Sequence, residues 1–79
     1  MDNTIGFSDF ENKKFRIKIG LFIKEFREKK GYSQEQLAMM LDVNRSTISK
    51  IENGKFAISI DYLERLAFYL DFDIHLQQI

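Results

Sequence analysis

Within the six residues from Arg45 to Lys50 stand a guanidinium, three hydroxyls and an ammonium, interrupted only by Ile48. These groups donate hydrogen bonds and neutralise anions, which is the chemistry of binding. Catalysis would need other company. The chain has no Gly-rich phosphate loop and no Ser/His/Asp or Cys/His set, and its carboxylates are scattered instead of paired. There is no cysteine, so neither a disulfide framework nor a thiolate metal site is available, and the single His75 cannot build a zinc site. An enzyme, a cofactor and a metal are therefore not expected, and His75 reads as a surface residue of the tail.

Two short helices must position the polar cluster. Ser33, followed three residues later by Gln36, is a capping box that starts a helix at Gln34 with Leu37, Ala38 and Leu41 on one face. Asp42, Val43 and Asn44 interrupt that pattern, and Asn44 is itself a good N-cap for a second helix from Arg45 to about Glu52. Asn53-Gly54 closes it, glycine being free to take the left-handed conformation. Only Ile48 and Ile51 are apolar in the second helix, so Arg45, Ser46, Thr47, Ser49 and Lys50 face outward. A helix this polar works in water or on a ligand, and the pair has the layout of a helix-turn-helix DNA reader.

From about Ile17 to Phe72 the chain resembles the Cro/C1-type (lambda repressor-like, XRE) helix-turn-helix domains. The likeness rests on Ile19-Gly20, Ile23, Phe26 and Arg27, on SQEQLA from Ser33, on Val43 in the turn, and on STISKIENGK from Ser46 to Lys55. The resemblance implies an all-α, compact domain of four to five helices that binds double-stranded DNA, with the helix over 45–52 in the major groove. On that basis Arg45, Ser46, Thr47 and Lys50 are expected at base edges. Arg45 leads, because a guanidinium can donate two bonds to guanine O6 and N7. Gln34, Asn44, Asn53 and Lys55 are expected at phosphates, helped by backbone amides at the helix starts. Arg27 and Glu52 match the family pair that ties the first helix to the reading helix, a structural role.

The flanks follow from pattern. Ser8 and Glu11 form a second capping box, so the first helix begins near Asp9 and runs to about Lys30, ending at Gly31; the alternative is a later start with Phe10 in a loose arm. Phe15, Ile19, Phe22, Ile23 and Phe26 share the face expected to pack on the core, while Phe10, Ile17 and Leu21 fall on the opposite one. Ser59 caps a helix from Ile60 to Leu70 with Leu63, Leu66, Ala67 and Leu70 as its core stripe, and Phe56, Ile58 and Ile60 are expected to seal the junction before it. After Asp71 the pattern alternates: Phe72, Ile74 and Leu76 against Asp73, His75 and Gln77, a short strand with nothing in the chain to pair with. The same strand of a second copy would cover it, so Phe72, Ile74 and Leu76 are expected in a homodimer contact. The division expected is an arm or helix extension over 1–14, the DNA-binding domain over 15–71 and a strand-like tail over 72–79.

Net charge is zero over 79 residues, which by itself speaks against a polyanionic partner. The distribution reverses this. Residues 13–55 hold eleven bases against five acids, +6, and each end sums to −3. No transmembrane run or signal peptide is visible, so a cytoplasmic protein without a membrane role is expected. Three functions remain open: a dimeric repressor reading an inverted repeat; an antitoxin that also binds a toxin, through Phe7, Phe10, Ile17, Leu21 or the helix over 60–70; and an interaction module without DNA binding.

Overall fold

Serine hydroxyls start three of the four helices in the computed structural model, which describes residues 8–79. Ser8 accepts from the Glu11 amide (3.2 Å) at the head of α1 (Asp9–Lys29), Ser33 from that of Gln36 (3.0 Å) before α2 (Gln34–Leu41), and Ser59 from that of Tyr62 (3.1 Å) before α4 (Ile60–Leu70). The box at Ser33 is complete, since Gln36 Oε1 accepts in turn from the Ser33 amide at 2.8 Å. At Ser8 only the forward bond forms. Helix α3 (Arg45–Glu52) follows Asn44, which takes the extended N-cap conformation but makes no side-chain capping bond. Helices α2 and α4 end on aspartates in the left-handed region, Asp42 (φ 58°) and Asp71 (φ 55°), a conformation that aspartate tolerates better than most side chains.

The fold is all-α. The core is formed by Ile23 of α1, Leu37, Ala38 and Leu41 of α2, Ile48 and Ile51 of α3, and Leu66 and Leu70 of α4. All four helices contribute to a single apolar cluster. Leu63, Phe56, Ile58 and Val43 close its margin, half-buried. Gly20 sets how closely α1 can lie on α3: a Cβ there would stand 2.7 Å from the Glu52 carbonyl oxygen, inside contact distance and against backbone. Gly54 is left-handed (φ 72°) and has Ile17 where its side chain would be.

Several expectations need correction. Of the predicted core face of α1, Ile19, Ile23 and Phe26 pack inward, but Phe15 and Phe22 stay exposed, because the short α2–α3 unit covers only part of a 21-residue helix. Phe10, Ile17 and Leu21 are exposed as well, and α1 starts at Asp9, so Phe10 lies in a helix and not in a loose arm. Phe7 lies outside the described residues. Ile60 does not seal the α3–α4 junction; it is exposed, and Phe56 and Ile58 do the packing. The tail over 72–79 forms no strand, since a strand needs a partner edge for its amides and carbonyls and a single chain offers it none. Phe72 stacks on Phe26 of its own chain (ring centroids 4.9 Å) and is half-buried; Ile74 and Leu76 are exposed.

Candidate nucleic-acid interface

At 100° per residue, Ile48, Ile51 and Glu52 define the buried side of α3, and Ser46 and Lys50 stand opposite them. Arg45, Ser46 and Lys50 are exposed; Thr47 and Ser49 are half-buried on the flanks. The helix thus presents a guanidinium, a hydroxyl and an ammonium to solvent from a rigid base. Asn44 and Lys55 are exposed at its two ends. Because Asn44 does not cap, the first amides of α3 keep their donors free of a side-chain acceptor. Asn53 donates back from its amide nitrogen to the Ser49 carbonyl at 2.8 Å, so a phosphate contact would have to share that amide's donors.

Beneath this face lies a chain of hydrogen bonds across three helices. Arg27 of α1 grips Glu52 of α3 with two bonds, Nε to Oε2 at 2.6 Å and Nη2 to Oε1 at 3.1 Å, and donates a third through Nη1 to the Tyr32 carbonyl at 2.7 Å. Both side chains are buried. The hydrogen bond to Glu52 holds the Arg27 guanidinium above its already high ordinary pKa, so it stays charged at every ordinary pH. Gln34 of α2 joins the pair: its Nε2 donates to Glu52 Oε1 at 3.0 Å. Its Oε1 accepts from Arg45 Nη1 at 2.9 Å. Of the expected site residues, the structure therefore brings Arg27, Glu52, Gln34 and Arg45 into one network and leaves Ser46, Lys50 and Lys55 free on the surface.

Two further contacts brace the frame and carry no sequence motif. Arg65 of α4 donates to the Leu41 carbonyl at 2.6 Å, satisfying the end of α2, and lies 5.8 Å from the Tyr62 ring centroid. Lys30 pairs with Asp71, joining the ends of α1 and α4. Lys30 and Asp71 were visible only as unlike charges at two helix ends, a signal too common to single them out, and Arg65, in the middle of α4, carried no such sign. Among the described residues no helix is long and apolar enough to cross a membrane, and no cluster of three His, Cys, Asp or Glu is placed to hold a metal ion.

Comparison with known proteins agrees with this geometry. A helix-turn-helix family model matches residues 23–76. The chain is 34% identical over 58 residues to the ImmF control region 10 kDa protein of Bacillus phage phi105, a match spanning 73% of this chain and 64% of that protein. It is 41% identical over 58 residues to the HTH-type transcriptional regulator SinR of Bacillus subtilis, over 72% of this chain and 52% of SinR. The chain thus spans about half to two thirds of the length of these curated relatives. Among solved structures, the restriction-modification controller protein C.AhdI from Aeromonas hydrophila superposes with a TM-score of 0.71 at 33% identity, covering 76% of this chain and 91% of that one. A family match over more than half of the chain, with the same fold in a relative a third identical, settles membership: the protein belongs to the helix-turn-helix family, in its Cro/C1-type (lambda repressor-like, XRE) branch.

Proposed function

We propose that the chain is a sequence-specific, double-stranded DNA-binding transcriptional regulator that acts in the cytoplasm as a dimeric repressor. The observation that carries this reading is the exposed face of α3, with Arg45, Ser46 and Lys50 on a helix whose other side is wholly buried. Arg45, Ser46, Thr47 and Lys50 read base edges in the major groove. Gln34, Asn44, Asn53 and Lys55 engage phosphates, with the uncapped amides of α3 beside Asn44 adding donors. The Gln34 amide retains one N–H after its bond to Glu52, enough for one phosphate oxygen. The surplus of bases over residues 13–55 supplies the attraction that zero net charge conceals. Relatives named as transcriptional regulators and control proteins support this reading over an antitoxin or an interaction module.

A single reading helix buries too little DNA for useful specificity, so two copies read two half-sites about one helical turn apart. Ile74 and Leu76, both exposed in the tail, are available to pair between copies, while Phe72 stacks on Phe26 of its own chain. The test is binding to duplex DNA from upstream of the gene across a range of salt concentrations, with Arg45→Ala in parallel. The reading requires tight binding to one short inverted repeat that weakens steeply with salt and loses its preference in the variant. Absence of any sequence preference at low salt would reject it.

A further inference from the structure

Along α1, Phe15, Ile19, Phe22 and Phe26 follow one another at intervals of four, three and four residues, the spacing of a seam between two helices. The chain's own fold covers only part of that seam. Phe26 is half-buried and stacked on Phe72 (ring centroids 4.9 Å), and Ile19 is half-buried against the core, whereas Phe22 is 44% exposed and Phe15 59%. Beside Phe22 and Phe26 the surface falls into an open hollow of about 240 Å³, walled further by Ile19, Leu63, Phe72 and Ile74. Phe15 does not line it, standing about 16 Å along the helix from Phe26. The stripe therefore carries both a projecting ring and an apolar hollow, and its own chain brings the two together nowhere.

Set antiparallel against a second copy, about a two-fold axis midway between Ile19 and Phe22, the stripe matches itself. Phe15 falls opposite the partner's Phe26, and Ile19 opposite the partner's Phe22, which is the self-complementarity an isologous contact requires. The charges agree. Lys18 and Glu25 border the stripe on one flank, both exposed and, among the described residues, in no ion pair. The antiparallel arrangement sets Lys18 against the partner's Glu25, and symmetry repeats the pair. This complementarity selects a second copy over DNA, which would repel Glu25 and offer the phenyl rings no apolar partner.

We propose that α1 is a dimerisation helix: two copies pair their α1 seams antiparallel, and Phe15 of each seats in the hollow beside Phe22, Phe26 and Phe72 of the other. The pairing gives the proposed regulator's dimer its interface and rests on that dimer, but not on DNA binding. Ile74 forms part of the hollow's wall, so the tail borders the same contact. The family match begins at residue 23, and Phe15, Ile19 and Phe22 stand ahead of it.

The test is sedimentation equilibrium of the full chain without DNA. The wild type is expected to dimerise. Phe15→Glu changes an exposed side chain outside the core, so it is expected to keep wild-type circular dichroism and Tm while weakening the dimer about a hundredfold or more. Charge reversal checks the register independently: Lys18→Glu and Glu25→Lys are each expected to weaken self-association about tenfold by placing like charges across the seam twice. Mixing those two variants is expected to restore wild-type affinity in the mixed dimer, because each copy supplies the charge the other lacks. A monomeric wild type, a dimer indifferent to Phe15→Glu, or charge variants that do not recover on mixing would overturn the proposal. If Phe15→Glu leaves a dimer that Ile74→Asp with Leu76→Asp dissolves, the tail alone joins the copies, and this pairing falls while DNA reading stands. A wild type that dimerises through the seam but selects no duplex would reject the regulator and keep the pairing.

Discussion

Glu52 is where structure and reading meet in one side chain, since its carboxylate accepts two bonds from Arg27 and one from Gln34 while its backbone ends α3. Removing the carboxylate alone strands a buried guanidinium with only the Tyr32 carbonyl, so Glu52→Met should destabilise the fold by about 3–5 kcal/mol in chemical denaturation. Removing both partners should bring stability back to within about 1 kcal/mol of the wild type, because an apolar pair no longer carries the cost of burying charge. A double variant as unstable as the single one would show that the pair itself, and not the stranded charge, sets the cost. Tyr62 presents the opposite case. Its hydroxyl is buried with no hydrogen-bond partner in the protein, an arrangement that costs stability, so Tyr62→Phe should raise the unfolding free energy by about 1 kcal/mol. A loss of stability would mean that the hydroxyl is satisfied in solution.

At the scale of the helix, the tight seat of α1 on α3 depends on Gly20. Alanine would favour the helix by about 1 kcal/mol, but its Cβ would press on the carbonyl oxygens that end α3, which are backbone and cannot turn aside. Overpacking of this kind costs about 1–3 kcal/mol or more, so Gly20→Ala should lower stability and, by tilting α3, weaken DNA binding further than the stability loss alone explains. Unchanged stability would show that α1 can lift without cost. The helices themselves were legible in the sequence because their signals are local: Ser8, Ser33 and Ser59 bond to amides three residues away, and Leu37 with Leu41, Ile48 with Ile51 and Leu66 with Leu70 repeat at helical spacing. The Gln34 bridge was not legible. Whether that amide meets a phosphate, Glu52 or Arg45 depends on how α2 and α3 cross, which no spacing along the chain encodes. Phe15 and Phe22 misled for a related reason: periodicity marks an apolar face of α1 without saying how much of it the rest of the fold can reach. The tail alternates like a strand, but alternation specifies a face and cannot provide an edge.

Across the whole molecule, charge is sorted so that the middle of the chain is basic and the ends are acidic. Among the described residues one ion pair, Lys30 to Asp71, joins the basic segment to an acidic one. The hydrogen bond to Asp71 raises the pKa of Lys30 above its ordinary 10.5, and burial raises that of Tyr62 above 10.0. Both groups hold protons more tightly folded than unfolded, so their contribution is intact below pH 10 and is lost as pH climbs through the folded values. Tm should stay level from pH 7 to about 9 and fall above 10, less steeply in Tyr62→Phe; a fall already complete by pH 9 would contradict this. Assembly belongs to the same scale. If Ile74 and Leu76 pair between copies, Ile74→Asp with Leu76→Asp should yield a folded monomer in sedimentation equilibrium that binds a full operator more weakly, and a dimer unaffected by both changes would place the interface elsewhere. The central claim, that the face of α3 reads DNA, is tested most directly by selection of duplexes from a random pool with wild type and Arg45→Ala side by side. The account predicts an enriched inverted repeat with half-sites about 10 base pairs apart, and in the variant the loss of preference at one symmetric pair of positions only. A pool that remains random with the wild type, or an identical motif from both proteins, would contradict it.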